Sequence, residues 1–207
     1  MQIIISIKVL AALADIADGA NGNKYSNKIC FMPGYKDVVA TNGHILAVVH
    51  DSSCEMYGNV IVAMSSKRAK VIIKEAKGLP TVKALGTVML FDNEEEYSAY
   101  IKDQKETPAC FPHAAFLFVP SYDYVSADGI SKYLKEEQRE ADTFIPSYNI
   151  KYQKKAAKLW CAVSGFRNED DPRYDSVYIG KSNTLHVLRE DNRRGMHAVI
   201  MPYSLIR

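Results

Sequence analysis

Eight lysines fall into two sets whose spacing suits one kind of chemistry, the neutralisation of a polyanion. Lys67, Lys70, Lys74 and Lys77 follow the pair Ser65-Ser66, and Lys151, Lys154, Lys155 and Lys158 follow Asn149. At about 100° per residue, each set occupies one stripe of a helix. Ala69, Ile72, Ile73 and Ala76 lie opposite the first stripe, and Tyr152, Ala156, Leu159, Trp160 and Val163 lie away from the second. The triplets Lys70/Lys74/Lys77 and Lys151/Lys155/Lys158 have the same spacing, 81 positions apart. Like charges stacked this way repel by roughly a few tenths of a kcal/mol for each neighbouring pair, and only Glu75 interrupts them with an acid. The solvated face of an ordinary amphipathic helix explains one such stripe. Two in register fit a facing polyanion better. With no aromatics interleaved among them, they suit the phosphates of a duplex more than stacked single-stranded bases. Such contact is salt-sensitive and indifferent to base sequence.

Other chemistry finds little support. The five histidines (His44, His50, His113, His186, His197) have no nucleophile or paired carboxylate at diagnostic spacing, and neither a phosphate loop nor HExxH occurs. His44 and His50 lie on one strand face, but two ligands alone make a poor metal site, and solvated or core histidines explain them as well. The run Glu169-Asp170-Asp171, between Arg167 and Arg173, reads as a solvated loop. Cys30, Cys54, Cys110 and Cys161 are far apart and form no CxxC, which points to buried free thiols. No catalytic residue, metal or cofactor is expected.

The elements that must carry these lysines follow from pattern and punctuation. With 207 residues, 47% of them apolar and a net charge of +2, the chain can bury a real core. Its start lacks a basic n-region, Lys8, Asp15 and Asp18 break its apolar run, and no stretch is apolar enough to span a bilayer. The expected location is cytoplasmic. Ile3–Ile7 reads as a strand, Lys8–Asp18 as a helix, and Ile29–Met32, Asp37–Thr41 and His44–Val49 as three short strands, the last two joined by Asn42-Gly43. A second round starts with a strand at Asn59–Met64 and a helix from Ser65 to Lys77. Strands at Val82–Phe91 and Glu96–Ile101 follow, with another near Ala114–Val119. Beyond Pro120, Ser126–Asp142 is charged and reads as helical. A helix over Asn149–Val163 and strands at Ser176–Ile179, Leu185–Leu188 and His197–Pro202 complete the chain. The expected class is α+β: repeated β-α-β-β-β units with helices on one face of antiparallel sheets. Two domains are expected, residues 1–110 and a truncated 111–207.

Three short motifs add a family resemblance. Ala40-Thr-Asn-Gly-His-Ile-Leu-Ala47 resembles the ATDGHRLA of the bacterial DNA sliding clamp, the β subunit of DNA polymerase III. Phe111-Pro112 with Leu117 and Val119-Pro120 is similar to that family's FPDYxxVxP junction, although one residue longer, and Ala198–Leu205 is similar to its terminal YVVMPMRL. Asn149-Ile-Lys-Tyr152 also resembles the family's N-x-x-Y-L helix start. The resemblance spans roughly residues 35–207. It implies a DNA-clamp-like fold that is non-catalytic and contacts duplex DNA through helices. It also implies an apolar interdomain groove for peptides of DNA polymerase and other replication proteins. Carried over by position, that groove involves Thr41, His44, Leu46, Pro112, Leu117, Val199, Met201, Pro202 and Tyr203. His44 then forms a groove wall; without the resemblance it is a surface residue beside a turn.

Two departures bear on this. The family's aspartate and arginine fall at Asn42 and Ile45, which alters the polar rim. The family's chain has three domains and its ring has six, so complete two-domain protomers would close as a homo-oligomeric trimer, whereas a shortened one could stay open. The competing expectation is a clamp mimic that binds clamp partners without encircling DNA.

Overall fold

The computed structural model describes residues 2–19, 27–32, 36–51, 55–57, 62–78, 82–83, 86–91, 94–103, 119–120, 134–140, 146–165, 174–190 and 194–203. Three amphipathic helices lie on one face of a long antiparallel sheet, and a small second sheet holds the first strand. β1 (Gln2–Ser6) runs directly into α1 (Ile7–Ala17). β2 (Lys28–Met32), β3 (Asp37–Thr41), β4 (Ile45–Asp51), β5 (Glu55–Tyr57) and β6 (Val62–Ser65) precede α2 (Ser66–Ala76). β7 (Thr87–Phe91), α3 (Glu94–Asp103), β8 (Val119–Pro120), α4 (Ile150–Ser164), β9 (Ser176–Ile179), β10 (Leu185–Arg189) and β11 (Arg194–Ile200) complete the order.

The eight-stranded sheet runs β8-β6-β2-β3-β4-β11-β10-β9, and β5-β1-β7 form the three-stranded one. The large sheet therefore joins strands from both sides of position 110. Its alternating residues face two ways. Ile29, Phe31, Val38, Ala40, Ile45, Ala47, Val49, Ala198 and Ile200 pack under the helices, while Cys30, Met32, Val39, Val48 and Ala63 form a second apolar cluster on the opposite face. Cys30 and Cys161 are buried free thiols, and burial pushes the Cys30 thiol up to about 12. Cys54 and Cys110 lie outside the described residues.

α1 is the central helix. Ile7, Val9, Leu10, Ala12, Leu13, Ala14, Ile16 and Ala17 are all buried, because α1 packs on the sheet and also against α2 and α4. The lysine helices start where capping chemistry places them. The Ser65 hydroxyl accepts from Arg68 N at 3.2 Å, and the Asn149 side chain accepts from Lys151 N at 2.9 Å. α4 ends at Gly165, whose φ of 76° suits glycine.

Several expectations are corrected. The strand expected at Glu96–Ile101 is helix α3: Glu94, Glu95 and Glu96 fill its first turn, where the helix dipole favours negative charge over the β preference of Tyr97, Tyr100 and Ile101. Among the described residues of Val82–Phe91, Thr87–Phe91 is the strand and residues 82–83 are helical. Of the helix expected over 126–142, residues 136–140 instead run along β9, with Gln138 bridged to Gly180; 126–133 lie outside the described residues. The first strand–helix–three-strand unit is present in order, yet β1 belongs to a different sheet from β2, β3 and β4.

Candidate nucleic-acid interface

The two lysine rows share one helical layer. α1 packs against both α2 and α4, and at about 8–10 Å between neighbouring axes the α2 and α4 axes stand roughly 16–20 Å apart, while Lys70 and Lys155 reach inward from either side to the same residue, Asp18. Lys67, Lys70, Lys74, Lys77, Lys151 and Lys154 are exposed, and Lys155 and Lys158 are half-buried. Between the rows rises the C-terminal end of α1 with its two carboxylates. Lys70 pairs with Asp18 and Lys158 with Asp15. The Lys155 ammonium donates to the backbone carbonyl of Asp15 and, at 3.3 Å, to that of Asp18.

α1 has no basic residue in its own last turn. Lys155 supplies one from α4, satisfying carbonyls that a helix end leaves orphaned. Burial lowers the Lys155 ammonium pKa, as do Lys151 and Lys70, against the pull of Asp15 and Asp18. The hydrogen bond from Lys70 holds the Asp18 carboxyl below its ordinary value, against a small burial effect. The face is thus basic at its flanks and charge-paired at its centre. Sequence periodicity found the stripes and noted Asp15 and Asp18, but gave no sign that these acids meet the lysines of both other helices.

The groove residues separate into two places. On the sheet face away from the helices, Thr41, Leu46, Val199 and His186 form one transverse row by strand register. Met201, exposed, follows on the tail. The tail strand therefore lies beside the hairpin strand, β4 pairing with β11 from Ile45↔Ile200 to Asp51↔Arg194. His44 turns the other way. Its ring stacks on Tyr152 of α4, with centroids 5.6 Å apart and planes at 16°, so it does not wall the row containing Leu46. Tyr152 packs against the helix-side core, which draws the His44 ring toward that layer. Met201 N donates to the His44 carbonyl at 2.9 Å, and Tyr203 N to that of Ser147 at 2.7 Å; Pro202 between them is partly exposed. Pro112 and Leu117 lie outside the described residues. The described end of their motif, Val119–Pro120, pairs with β6 at the far side of the sheet, five strands from β11 and roughly 24 Å away at strand spacing.

Asn42 explains the hairpin geometry. The tip residues are Gly43, at φ 88°, and His44. Asn42 itself is only 3% exposed, and its side-chain oxygen accepts from His44 N at 3.0 Å and Ile45 N at 3.1 Å. It serves the hairpin backbone and not an exposed rim. Thr41 is also committed: its hydroxyl donates to the Ile45 carbonyl at 2.9 Å and accepts from Gly43 N at 3.1 Å. A Cβ at Gly19 would fall 2.7 Å from that of Asn42, so the exit from α1 presses on the same residue. Asn42→Ala should therefore lower stability by about 1–3 kcal/mol, leaving buried amides without an acceptor. A urea titration should show a lower midpoint at unchanged slope.

A polar network that sequence reading missed lies on β10 and β11. His186 is fully buried; its Nδ1 is 2.9 Å from His197 Nε2, and its Nε2 is 2.9 Å from the Thr184 hydroxyl and 3.3 Å from Glu136. The Thr184 hydroxyl donates to Glu136 at 2.6 Å, the Ser182 amide also donates to it, and Tyr178 stacks on His186 at 4.5 Å. Burial opposes ionisation of Glu136, but the bonds from Thr184, Ser182 and His186 outweigh it and hold the carboxyl down at about 2. An ionised Glu136 assigns the proton to Nε2 of His186, leaving Nδ1 to accept from His197. His50, at the other end of β4 from the hairpin tip, pairs with Asp37 at 3.0 Å and is nowhere near His44. Among the described residues no group of three or more His, Cys, Asp or Glu side chains is placed to hold a metal. Among them, too, no helix is long and apolar enough to cross a membrane.

No protein-family model matches the sequence, and no curated protein is significantly similar to it. Among solved structures, the chain is similar to a "Putative DNA polymerase III beta subunit" from Eubacterium rectale, with TM-score 0.49 and 13% identity. That match covers 99% of this chain and 66% of the other, just under two thirds of its length.

Proposed function

We propose that this protein is a non-catalytic, clamp-like DNA replication accessory factor that lies on duplex DNA through the layer of α1, α2 and α4. The observation that carries the reading is the convergence of both lysine rows on one helical face, flanking a single central helix. Phosphates on either side of a groove are the partner that two rows flanking one helix suit. The ordered clamp-like motifs support the same reading. Partner peptides from DNA polymerase or other replication proteins would dock at the exposed Met201 and the partly exposed Leu46, where the tail meets the hairpin, with the buried Val199 between the strands supporting them. If the halves 1–110 and 111–207 each act as a complete clamp domain, three protomers would close a ring; a shortened second half would leave it open.

The ion pairs of Asp15 and Asp18 with the lysine rows favour a second reading, a clamp mimic that keeps the protein-binding face without resting on DNA. Fluorescence anisotropy with a duplex separates the two. With five exposed lysines of the two rows held neither by Asp15 or Asp18 nor by a helix-end carbonyl (Lys67, Lys74, Lys77, Lys151 and Lys154), log K should fall against log salt with a slope of about −4 to −5. Absence of salt-dependent association at 50 mM salt would rule out the first reading.

A further inference from the structure

We propose that Asp15 and Asp18 are built-in competitors of the DNA backbone, withholding Lys70 and Lys158 from phosphate and so lowering both the affinity for duplex DNA and its salt dependence. This rests on the DNA-binding reading above. α1 is buried along almost its whole length, so the two carboxylates at its end stand at the centre of the lysine face. Asp18 takes Lys70 from α2, and Asp15 takes Lys158 from α4. A phosphate placed over α1 would meet two carboxylates before any free ammonium group. It could recruit Lys70 or Lys158 only by breaking an existing pair. Lys155 differs, because its partners are backbone carbonyls that no acid-to-amide change removes.

The test is duplex-DNA anisotropy over 50–300 mM salt with three proteins: wild type, Asp15→Asn/Asp18→Asn, and Glu75→Gln as a carboxylate on α2 outside these pairs. Freeing two lysines should steepen the salt slope by about 2 and raise affinity at 100 mM salt at least tenfold. Glu75→Gln should leave the slope unchanged. If the double variant melts too readily to assay, Asp18→Asn alone, at the exposed C-cap, should steepen the slope by about 1. A lower melting temperature with unchanged slope and affinity would show the aspartates only fasten helices together, overturning the inference while leaving the DNA reading intact. An equal gain from Glu75→Gln would overturn it as a general charge effect. Wild-type binding at 50 mM salt that the double variant tightens and makes steeper in salt would support it; no binding by the wild type would sink both proposals.

Discussion

Acidification from pH 6.5 to 4 should remove about 3 kcal/mol of folding stability through His197 alone. Burial, reinforced by the neighbouring His186, lowers its pKa from 6.5 to about 4, and each unit corresponds to about 1.4 kcal/mol. The sign follows from where the proton binds. Between those values the unfolded chain takes up a proton that the folded protein refuses, so stability is complete above 6.5 and falls as pH drops toward 4. His186 is displaced in the same direction, by burial against the attraction of Glu136. Glu136 extends the loss: its carboxyl is held at about 2 against an ordinary 4.5, so its contribution, complete above 4.5, disappears between those values. Asp37 works the other way. Burial raises its pKa despite the bond from His50, so it offsets part of the loss just above pH 3.8. Denaturant midpoints should therefore hold nearly level from pH 7.5 to 6.5 and decline from there to 3.5, and His197→Gln should flatten the portion between 6.5 and 4. A wild-type midpoint constant over that interval would refute the assignment, as would a variant that declines just as steeply.

That network also marks where sequence reading runs short. His186 and His197 stand eleven positions apart on adjacent antiparallel strands, but Glu136 reaches them from a segment that, by its charge, read as helical. The bridge from Gln138 to Gly180, with Arg139 N donating to the Ile179 carbonyl and Lys181 N to that of Glu137, brings that carboxylate to β10. Local periodicity carries no information about such a crossing. The elements that were legible owe their position to residues within their own span. Ser65 and Asn149 cap the lysine helices, Gly165 ends one of them, and short unbroken apolar runs, buried on both sheet faces, define β3 and β4. The pairing of β4 with β11 lies between the two kinds. The hairpin and tail motifs pointed to a shared neighbourhood by resemblance, and the register realises it for Leu46 and Val199 while sending His44 to Tyr152. The side a tip residue takes depends on Gly43, whose positive φ sets the turn, and on an aromatic surface that the distant helix α4 supplies.

Replacing Lys67, Lys74, Lys77, Lys151 and Lys154 together by alanine should weaken duplex binding at least about 100-fold at 50 mM salt and bring the salt slope close to zero. Each phosphate neutralised contributes about 0.9 to that slope. The three α2 lysines should therefore account for close to 2.7 of it, and Lys151 with Lys154 for close to 1.8. The wild-type protein should lose about 500-fold in affinity between 50 and 200 mM salt, the size that a slope near −4.5 dictates. All five side chains are exposed, and surface substitutions of this kind change stability little, so the melting temperature should stay nearly constant and serve as the folding control. The decisive comparison is a second set, Lys36, Lys83 and Lys135, equally exposed but outside the helical layer. If their loss reduced the slope as much as that of the α2 lysines, binding would follow net charge and the layer would have no special role. If only the helical sets act, and act additively, the phosphates must run along both flanks of α1. The two rows then work as separate rails, and Asp15 and Asp18 stand between them.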